Sequence, residues 1–134
     1  MGNRYTCMCN SCQYKENFNI GAGMLDYNPN NALKTFSSEE KEKIEKYIQL
    51  NPKSICDINR KVAVGVNDGK EILALATIIK VMGEGNNTRE FISYSKELDE
   101  GSIKLYDESE LLNSKIKCPE CSDNLKFQMS GFWD

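Results

Sequence analysis

Apolar and polar residues alternate in segments near both ends of the chain, which is the pattern of half-buried strands. In residues 13–20, mostly apolar positions share one face and polar positions share the other. This segment predicts the outgoing arm of a hairpin over residues 4–20. Residues 124–129 also place their large apolar side chains on one face. Together with a short strand over residues 115–117, they predict a second β-hairpin near the C-terminus.

The middle of the chain has the pattern of an antiparallel sheet. Valines at alternate positions from residue 62 to residue 66 predict one strand, and Asn67–Lys70 supplies a hairpin turn. The apolar run 71–82 fits either a helix or a strand. Its Ala and Leu residues permit a helix, whereas its β-branched second half and the preceding turn favour a strand. We predict a strand there and another over residues 88–95.

One segment predicts a well-formed helix. Ser37 with Glu40 three residues later has the form of a capping box, and Asn51-Pro52 should end the helix after about Leu50. Its apolar stripe is narrow, so one face is expected to dock on the sheet. Residues 96–114 are acidic and irregular, which predicts a solvated linker. The fold class that follows is mainly β with one helix (α+β), with an antiparallel sheet in the middle.

Two C-x-x-C turns, Cys9–Cys12 and Cys118–Cys121, occur in a chain that has no histidine. Such turns direct two sulfurs at one point and present backbone N–H groups to the thiolates, and two turns complete a tetrahedral zinc site. The predicted metal ligands are the cysteines of both turns: Cys9, Cys12, Cys118 and Cys121. Cys7 lies two residues before Cys9, so both side chains point the same way on a strand. Cys7 is therefore the alternative to Cys9 as a ligand.

A site shared by the two ends makes the chain one unit. The 134 residues fit a single domain, and we expect a zinc-ribbon-type domain over residues 1–134. Residues 13–117 would form a long insertion between two zinc knuckles, with the terminal hairpins joined through the metal. Because the metal would bridge distant segments, metal binding and folding are expected to be coupled.

The same four cysteines suit iron as well as zinc. A site with this ligand set also excludes most kinds of catalysis. A rubredoxin-like iron site also uses four cysteines, so zinc and iron both stay open. A thioredoxin-like redox pair requires a C-x-x-C that opens a helix, which neither turn does. Disulfides require an oxidising compartment, for which there is no signal. A four-cysteine site has no open position for substrate, and Ser/His or Cys/His pairs need a histidine. We expect no enzyme.

The segments around the cysteines also carry a resemblance. Tyr5–Tyr14, the glycine-rich Gly21–Leu25 and the C-terminal turn Cys118–Cys121 resemble uncharacterised zinc-ribbon-type small proteins of Firmicutes, clostridia in particular. The resemblance is limited to these segments. It implies a zinc-ribbon fold with a bound metal, and it implies no established activity. Such relatives often carry another C-x-x-C in mid-chain, where this chain has Val64–Gly69, so no second metal site is expected.

Charge and hydropathy limit the partners. Seventeen basic and twenty acidic residues give a formal net charge of −3, and four thiolates around a divalent cation would add roughly two negative charges. A net acidic chain is a poor general nucleic-acid binder, because Lys and Arg contacts to phosphates supply most of that affinity. The N-terminus shows no secretory signal, and the apolar run 72–82 is too short to span a membrane. We expect a cytoplasmic protein.

The predicted function is a non-enzymatic zinc-binding module for protein interaction, an adaptor with an unknown protein partner. A first alternative is a zinc ribbon that binds nucleic acid through a basic and aromatic face, formed if the two hairpins lie side by side. Six residues would form that face: Tyr5, Tyr14, Lys15, Lys126, Phe127 and Trp133. A second alternative is an electron-transfer protein with iron at the same cysteines. Cys56 has no role in these schemes and is expected in the core.

Overall fold

The computed structural model describes residues 2–22, 30–83, 85, 87–113 and 115–133. Seven strands and three helices lie within these ranges. The predicted fold class, mainly β with one helix (α+β), is confirmed as a class, and two further short helices are present. In chain order they are β1 (Gly2–Cys9), β2 (Lys15–Ile20), α1 (Asn30–Leu33), α2 (Ser38–Leu50), β3 (Ile55–Asn67), β4 (Lys70–Met82), β5 (Thr88–Tyr94), β6 (Lys104–Tyr106), α3 (Glu108–Asn113) and β7 (Leu125–Trp133).

The strands form two antiparallel sheets. The three-stranded sheet has the order β2-β1-β7 and unites the two ends of the chain, whereas the four-stranded sheet has the order β5-β4-β3-β6. The run 71–82 belongs to strand β4, as predicted, and β4 pairs with β3 over 13 residues. Asp68 (φ 52°) and Gly69 (φ 75°) form the turn between them. Both have the left-handed φ that a two-residue hairpin turn requires.

One face of the four-stranded sheet supports both hydrophobic cores. Four cross-strand pairs of β3 and β4 share this face: Cys56–Val81, Ile58–Ile79, Val62–Leu75 and Val64–Leu73. The first two pairs pack into a core closed by α1, Phe36 and α2. The last two pack into a core closed by the three-stranded sheet and α3. The four-stranded sheet therefore supplies the surface on which the three-stranded sheet β2-β1-β7, called the ribbon from here on, packs.

Local sequence determines the bounds of α2. Ser37 is extended at the N-cap, and its hydroxyl accepts a hydrogen bond from the Glu40 N–H at 3.3 Å, as the capping-box motif predicts. Ile44 is fully buried against the sheet. The helix ends at Leu50, immediately before Asn51-Pro52, where the sequence predicts its end.

The acidic segment 96–114 differs from the irregular linker that its sequence predicts. It contains β6 and α3, which are too short to show a hydrophobic period. The Asp107 carboxylate caps α3 by accepting the Glu110 N–H at 2.9 Å. Leu111 is buried in the core beneath the ribbon. Tertiary packing, and not local periodicity, stabilises this segment.

The C-terminal hairpin is shorter than predicted. Residues 115–117 form no strand and make a single β-bridge, between Lys117 and Asn124, because the chain enters the second cysteine turn at once. The short helices α1 and α3 accompany the one predicted helix, α2. Of the glycine-rich segment Gly21–Leu25, residues 23–25 lie outside the described residues. A single domain over residues 1–134 stays a prediction.

Trp133 fixes the ribbon on the four-stranded sheet at the end of β1 farthest from the cysteine turns. Its indole N–H donates to the Ile20 carbonyl oxygen at 3.0 Å, and the Arg60 guanidinium lies 4.7 Å from the ring centroid. A Cβ at Gly2 would lie 2.1 Å from the indole Nε1, so only glycine fits at that position. The two ends of the chain thus meet each other and β3 at one point.

Candidate metal centre

Each cysteine turn is closed by the same backbone hydrogen bond. In the first turn, between β1 and β2, the Cys9 N–H donates to the Tyr14 carbonyl oxygen at 3.1 Å. In the second turn, before β7, the Cys118 N–H donates to the Asp123 carbonyl oxygen at 2.6 Å. Both bonds run from the first cysteine of the turn to the residue five positions later. The two turns share this closing hydrogen bond, but in the second turn Ser122 has a left-handed φ of 66° and donates its N–H to the Cys118 carbonyl oxygen at 3.0 Å, and the first turn has neither feature.

Backbone N–H groups point at all four sulfurs of the turns. The donor lies two residues after its cysteine in every case: Ser11 for Cys9, Tyr14 for Cys12, Glu120 for Cys118 and Asp123 for Cys121. The distance from the Glu120 nitrogen to the Cys118 sulfur is 3.4 Å. Donated hydrogen bonds favour the ionised form of a thiol. Each turn therefore has the backbone geometry that stabilises thiolates.

The four sulfurs lie within 4.8 Å of one another. The shortest separations join the two turns, with 3.3 Å between the Cys9 and Cys121 sulfurs and 3.6 Å between those of Cys12 and Cys118. Tetrahedral zinc with Zn–S bonds of about 2.3 Å needs sulfurs roughly 3.8 Å apart, whereas a disulfide needs about 2.05 Å. All four thiols are free. The cluster has the spacing of metal ligands and can hold a metal ion.

Strand pairing brings the two turns together although they are distant in sequence. Cys9 pairs with Leu125 in the β1–β7 register, and on its other side Leu125 donates its N–H to the Ile116 carbonyl oxygen at 2.9 Å. The Ser11 hydroxyl donates to the Asp123 carboxylate, which joins the first turn to the second. Sequence analysis missed this last contact, because the C-x-x-C motif assigns no role to Ser11, a residue between its cysteines, and Asp123 lies outside the second turn.

The two remaining cysteines lie outside the cluster. Cys7 shares the inner face of β1 with Cys9, but its side chain is fully buried in the core and is not among the four converging sulfurs. Burial raises the pKa of the Cys7 thiol to about 12, and the Glu16 carboxylate adds to this effect. Cys56 is half-buried at the margin of the core under α2. The geometry favours Cys9 over Cys7 as a ligand.

The thiols of the cluster differ in acidity because they interact with one another. Desolvation raises the pKa of Cys9, but hydrogen bonds from the Ser11 N–H and the Cys121 thiol outweigh this effect. The net result is a pKa lowered to about 7. The Asp123 N–H lowers the pKa of Cys121, but the other three thiols and desolvation raise it to about 12. Ionisation of one thiol therefore opposes ionisation of the next. A divalent cation offsets this repulsion between thiolates.

Exposure differs among the four cysteines. Cys9 and Cys118 are buried, Cys12 is half-buried and Cys121 is exposed. The buried pair belongs to the core that the ribbon shares with β3 and β4, so the cluster is continuous with that core. An ion held by all four sulfurs would have no free position for water or substrate. Within the part of the chain that the structure describes, no second cluster has metal-ligand spacing.

The six residues of the predicted basic and aromatic face do not share one surface. The hairpins do lie side by side, in the order β2-β1-β7. The four aromatic members are engaged within the fold: Tyr5, Tyr14, Phe127 and Trp133. Lys15 and Lys126 are exposed and both pair with Met8, on the opposite face of the ribbon. These residues therefore form no continuous surface on which bases could stack.

A scan against protein-family models and searches of curated proteins and solved structures find no match to this chain. The resemblance to clostridial zinc-ribbon proteins stays an expectation. Among the described residues, every helix is too short or too polar to cross a bilayer. The geometry of the cysteine cluster and of the surface around it is therefore the basis for a functional proposal.

Proposed function

We propose that Cys9, Cys12, Cys118 and Cys121 bind one structural zinc ion and that the chain is a non-enzymatic module for protein interaction. The observation that carries this proposal is the repeated geometry of the two turns. Every sulfur receives a backbone N–H and lies within 4.8 Å of the other three. That arrangement is typical of zinc knuckles. The ion would join the two ends of the chain.

A closed set of four thiolates suits a structural ion. Zinc has no redox chemistry and takes tetrahedral sulfur ligands, and with every position filled by protein it stabilises the fold instead of activating water. Iron accepts the same ligands. Because zinc and iron accept the same four ligands, only the identity of the bound metal distinguishes the zinc proposal from the electron-transfer alternative.

Charge and exposure support protein as the class of partner. The formal net charge of −3 disfavours a phosphate backbone. Several large apolar side chains are exposed, among them Leu50 (72%), Ile55 (68%) and Phe132 (62%). Leu50 and Ile55 flank the short loop between α2 and β3. Grouped apolar side chains on a surface are a feature of protein contact sites.

Metal analysis together with a visible spectrum tests the proposed ion. We expect one zinc per chain and a colourless protein. A coloured protein that contains iron would support the electron-transfer alternative, and a metal-free chain that folds normally would contradict both assignments. Cys56→Ala is the matched control, because Cys56 lies outside the cluster. This variant should retain one zinc per chain.

Affinity capture tests the interaction role. The zinc-loaded chain is immobilised and exposed to an extract of its native cells, and the bound molecules are identified by mass spectrometry. We expect a reproducible protein partner. Loss of this partner after chelation would place the contact on the three-stranded sheet, and its retention would place the contact on the surface between α2 and β3. Salt-sensitive recovery of nucleic acid would support the nucleic-acid alternative. Recovery of no partner would contradict the interaction role.

A further inference from the structure

The four cysteines of the metal centre differ in how easily a reagent in solution reaches them. Cys121 is exposed, Cys12 is half-buried, and Cys9 and Cys118 are buried in the core beneath the ribbon. Oxidants select cysteine sulfurs that are both ionised and exposed. A thiol that binds a divalent cation is deprotonated, so all four would be thiolates in the zinc-loaded chain and exposure would decide between them. Cys121 is therefore the sulfur that an oxidant reaches first.

The exposed sulfur of Cys121 has a neighbour in the other turn. The Cys9 sulfur lies 3.3 Å from it, and the Cys12 and Cys118 sulfurs form a second pair across the turns, at 3.6 Å. A disulfide bond is about 2.05 Å long, so an approach of about 1.3 Å would join the Cys9 and Cys121 sulfurs. Cys9 is thus placed to react with an oxidised Cys121, and the product would be a covalent bond between the two turns.

Contacts that involve no metal also hold the two turns against each other. The Ser11 hydroxyl donates to the Asp123 carboxylate, from the first turn to the residue that follows the second. Cys9 lies opposite Leu125 at the end of the β1–β7 ladder, and the pairing continues to the other end of both strands. These contacts fix the relative position of the turns while Cys121 is being oxidised. Its sulfur therefore stays beside the Cys9 sulfur.

Hydrogen peroxide would join these two sulfurs in two balanced steps. The Cys121 thiolate attacks one oxygen, the O–O bond breaks, and the products are a sulfenic acid on Cys121 and hydroxide. The Cys9 thiolate then attacks the Cys121 sulfur, the S–S bond forms, and the S–O bond breaks with loss of a second hydroxide. The two sulfurs together lose two electrons, which the two oxygens of the peroxide gain. Two protons convert both hydroxides to water.

A Cys9–Cys121 disulfide changes what joins the two ends of the chain. It consumes two of the four proposed ligands, and the remaining pair, Cys12 and Cys118, is too few for the closed tetrahedral site of a structural zinc ion. The metal would therefore be released. Cys9 is the last residue of β1 and Cys121 precedes β7, so the disulfide itself links the strands at that end. Oxidation would replace a metal cross-link with a covalent one.

We propose that Cys121 is a site of oxidation by peroxides and that Cys9 is its resolving thiol, so that the chain releases its metal while its two ends stay joined. This inference rests on the proposed zinc site and adds a chemical means of regulating it. The observation that carries it is one exposed sulfur with a buried partner 3.3 Å away in the other turn. An accessible thiolate beside a resolving cysteine is the usual form of a redox-sensing site. Such a site needs a transient oxidant and not an oxidising compartment.

Peptide mapping tests the proposed disulfide. Trypsin cleaves after lysine and arginine, so the cysteines of the first turn lie in the peptide 5–15 and those of the second in the peptide 118–126. The zinc-loaded full chain is treated with limiting hydrogen peroxide and free thiols are alkylated. A zinc-binding dye measures the released metal, and mass spectrometry locates the disulfides. We expect the two peptides to be joined through Cys9 and Cys121, with one such disulfide per zinc released. Cys56→Ala removes a thiol outside the cluster, and as the matched control it should give the same product.

A disulfide within one turn, which leaves the two peptides separate, or zinc release without a disulfide would overturn the proposal. Amide hydrogen exchange checks the cross-link, because β1 and β7 should exchange more slowly in the oxidised chain than in the reduced chain treated with chelator. Equal exchange in these two forms would show that the disulfide does not replace the metal.

Zinc measured on the reduced chain separates this inference from the proposed zinc site. A reduced chain that holds one zinc but forms no Cys9–Cys121 disulfide with peroxide would overturn only the oxidation site. A reduced chain without metal that still forms this disulfide would support the oxidation site and overturn the zinc assignment.

Discussion

The four-stranded and the three-stranded sheet differ in what stabilises them. β3 and β4 pair over 13 residues and bury a continuous set of aliphatic side chains, which favours folding in proportion to the area removed from water. Strands of the ribbon have six to nine residues, and the core beneath it includes three thiols, those of Cys7, Cys9 and Cys118. We therefore expect packing alone to stabilise the four-stranded sheet, and the three-stranded sheet to depend on the proposed metal as well.

Removal of zinc by a chelator should produce the largest difference in stability between the two sheets. Structural zinc in small domains contributes an apparent binding free energy of about 10–16 kcal/mol, far more than a single side-chain contact. We expect amide hydrogen exchange to accelerate in β1, β2 and β7, while β3 and β4 stay protected where they pack against α2. Chelator already saturated with zinc is the control. Unchanged exchange in β1 would contradict the role of the metal.

Cys9→Ser should nearly abolish zinc binding, because it removes one of the four proposed ligands. The expected loss of affinity exceeds the roughly 100-fold that follows removal of a hydrogen bond to a ligand. Cys7→Ala is the matched control two residues away on the same face, and it should leave zinc affinity unchanged while costing about 1 kcal/mol of stability. Competition with a zinc-binding dye measures both. Equal losses of affinity would show that Cys7 is a ligand.

Leu73→Ala and Ile79→Ala compare the two cores within one strand. Both side chains are fully buried on the same face of β4, Leu73 under the ribbon and Ile79 under α2. Each substitution should cost about 2–5 kcal/mol in the free energy of unfolding. Only Leu73→Ala should also weaken zinc binding, since it undermines the platform of the ribbon. Denaturant melts measure the free energy of unfolding, and zinc titrations measure the affinity for zinc. Equal zinc affinities of the two variants would contradict the expectation that only the core under the ribbon supports the metal centre.

Ser37→Ala should have the smallest effect. It removes the side chain that accepts the Glu40 N–H at the start of α2, and loss of an N-cap costs about 1 kcal/mol. Zinc affinity should not change, because α2 packs on the half of the sheet away from the ribbon. Ser38→Ala is the neighbouring control inside the helix. A change in zinc affinity in the capping variant would show that the two regions are coupled through the sheet.

Where local chemistry dominates, the sequence predicted the structure well. The capping serine and the Asn-Pro pair set both ends of α2, and the Asp-Gly pair set the β3–β4 turn and resolved residues 71–82 as a strand. α3 was missed because six residues carry no measurable period and its order comes from burial of Leu111. Residues 115–117 were predicted as a strand from their pattern, but pairing needs a neighbour, and only one bridge forms.

The sequence by itself determined the two cysteine turns, because a C-x-x-C spacing acts over four residues through backbone N–H groups and bond geometry. Only the tertiary structure decided that the turns meet, that Cys9 and not Cys7 joins the cluster, and that both cores share one face of β3 and β4. It also placed β7 at an edge of the three-stranded sheet, beside β1. These outcomes depend on pairing between strands far apart in the chain, and a local pattern of apolar and polar residues does not specify which strands become neighbours.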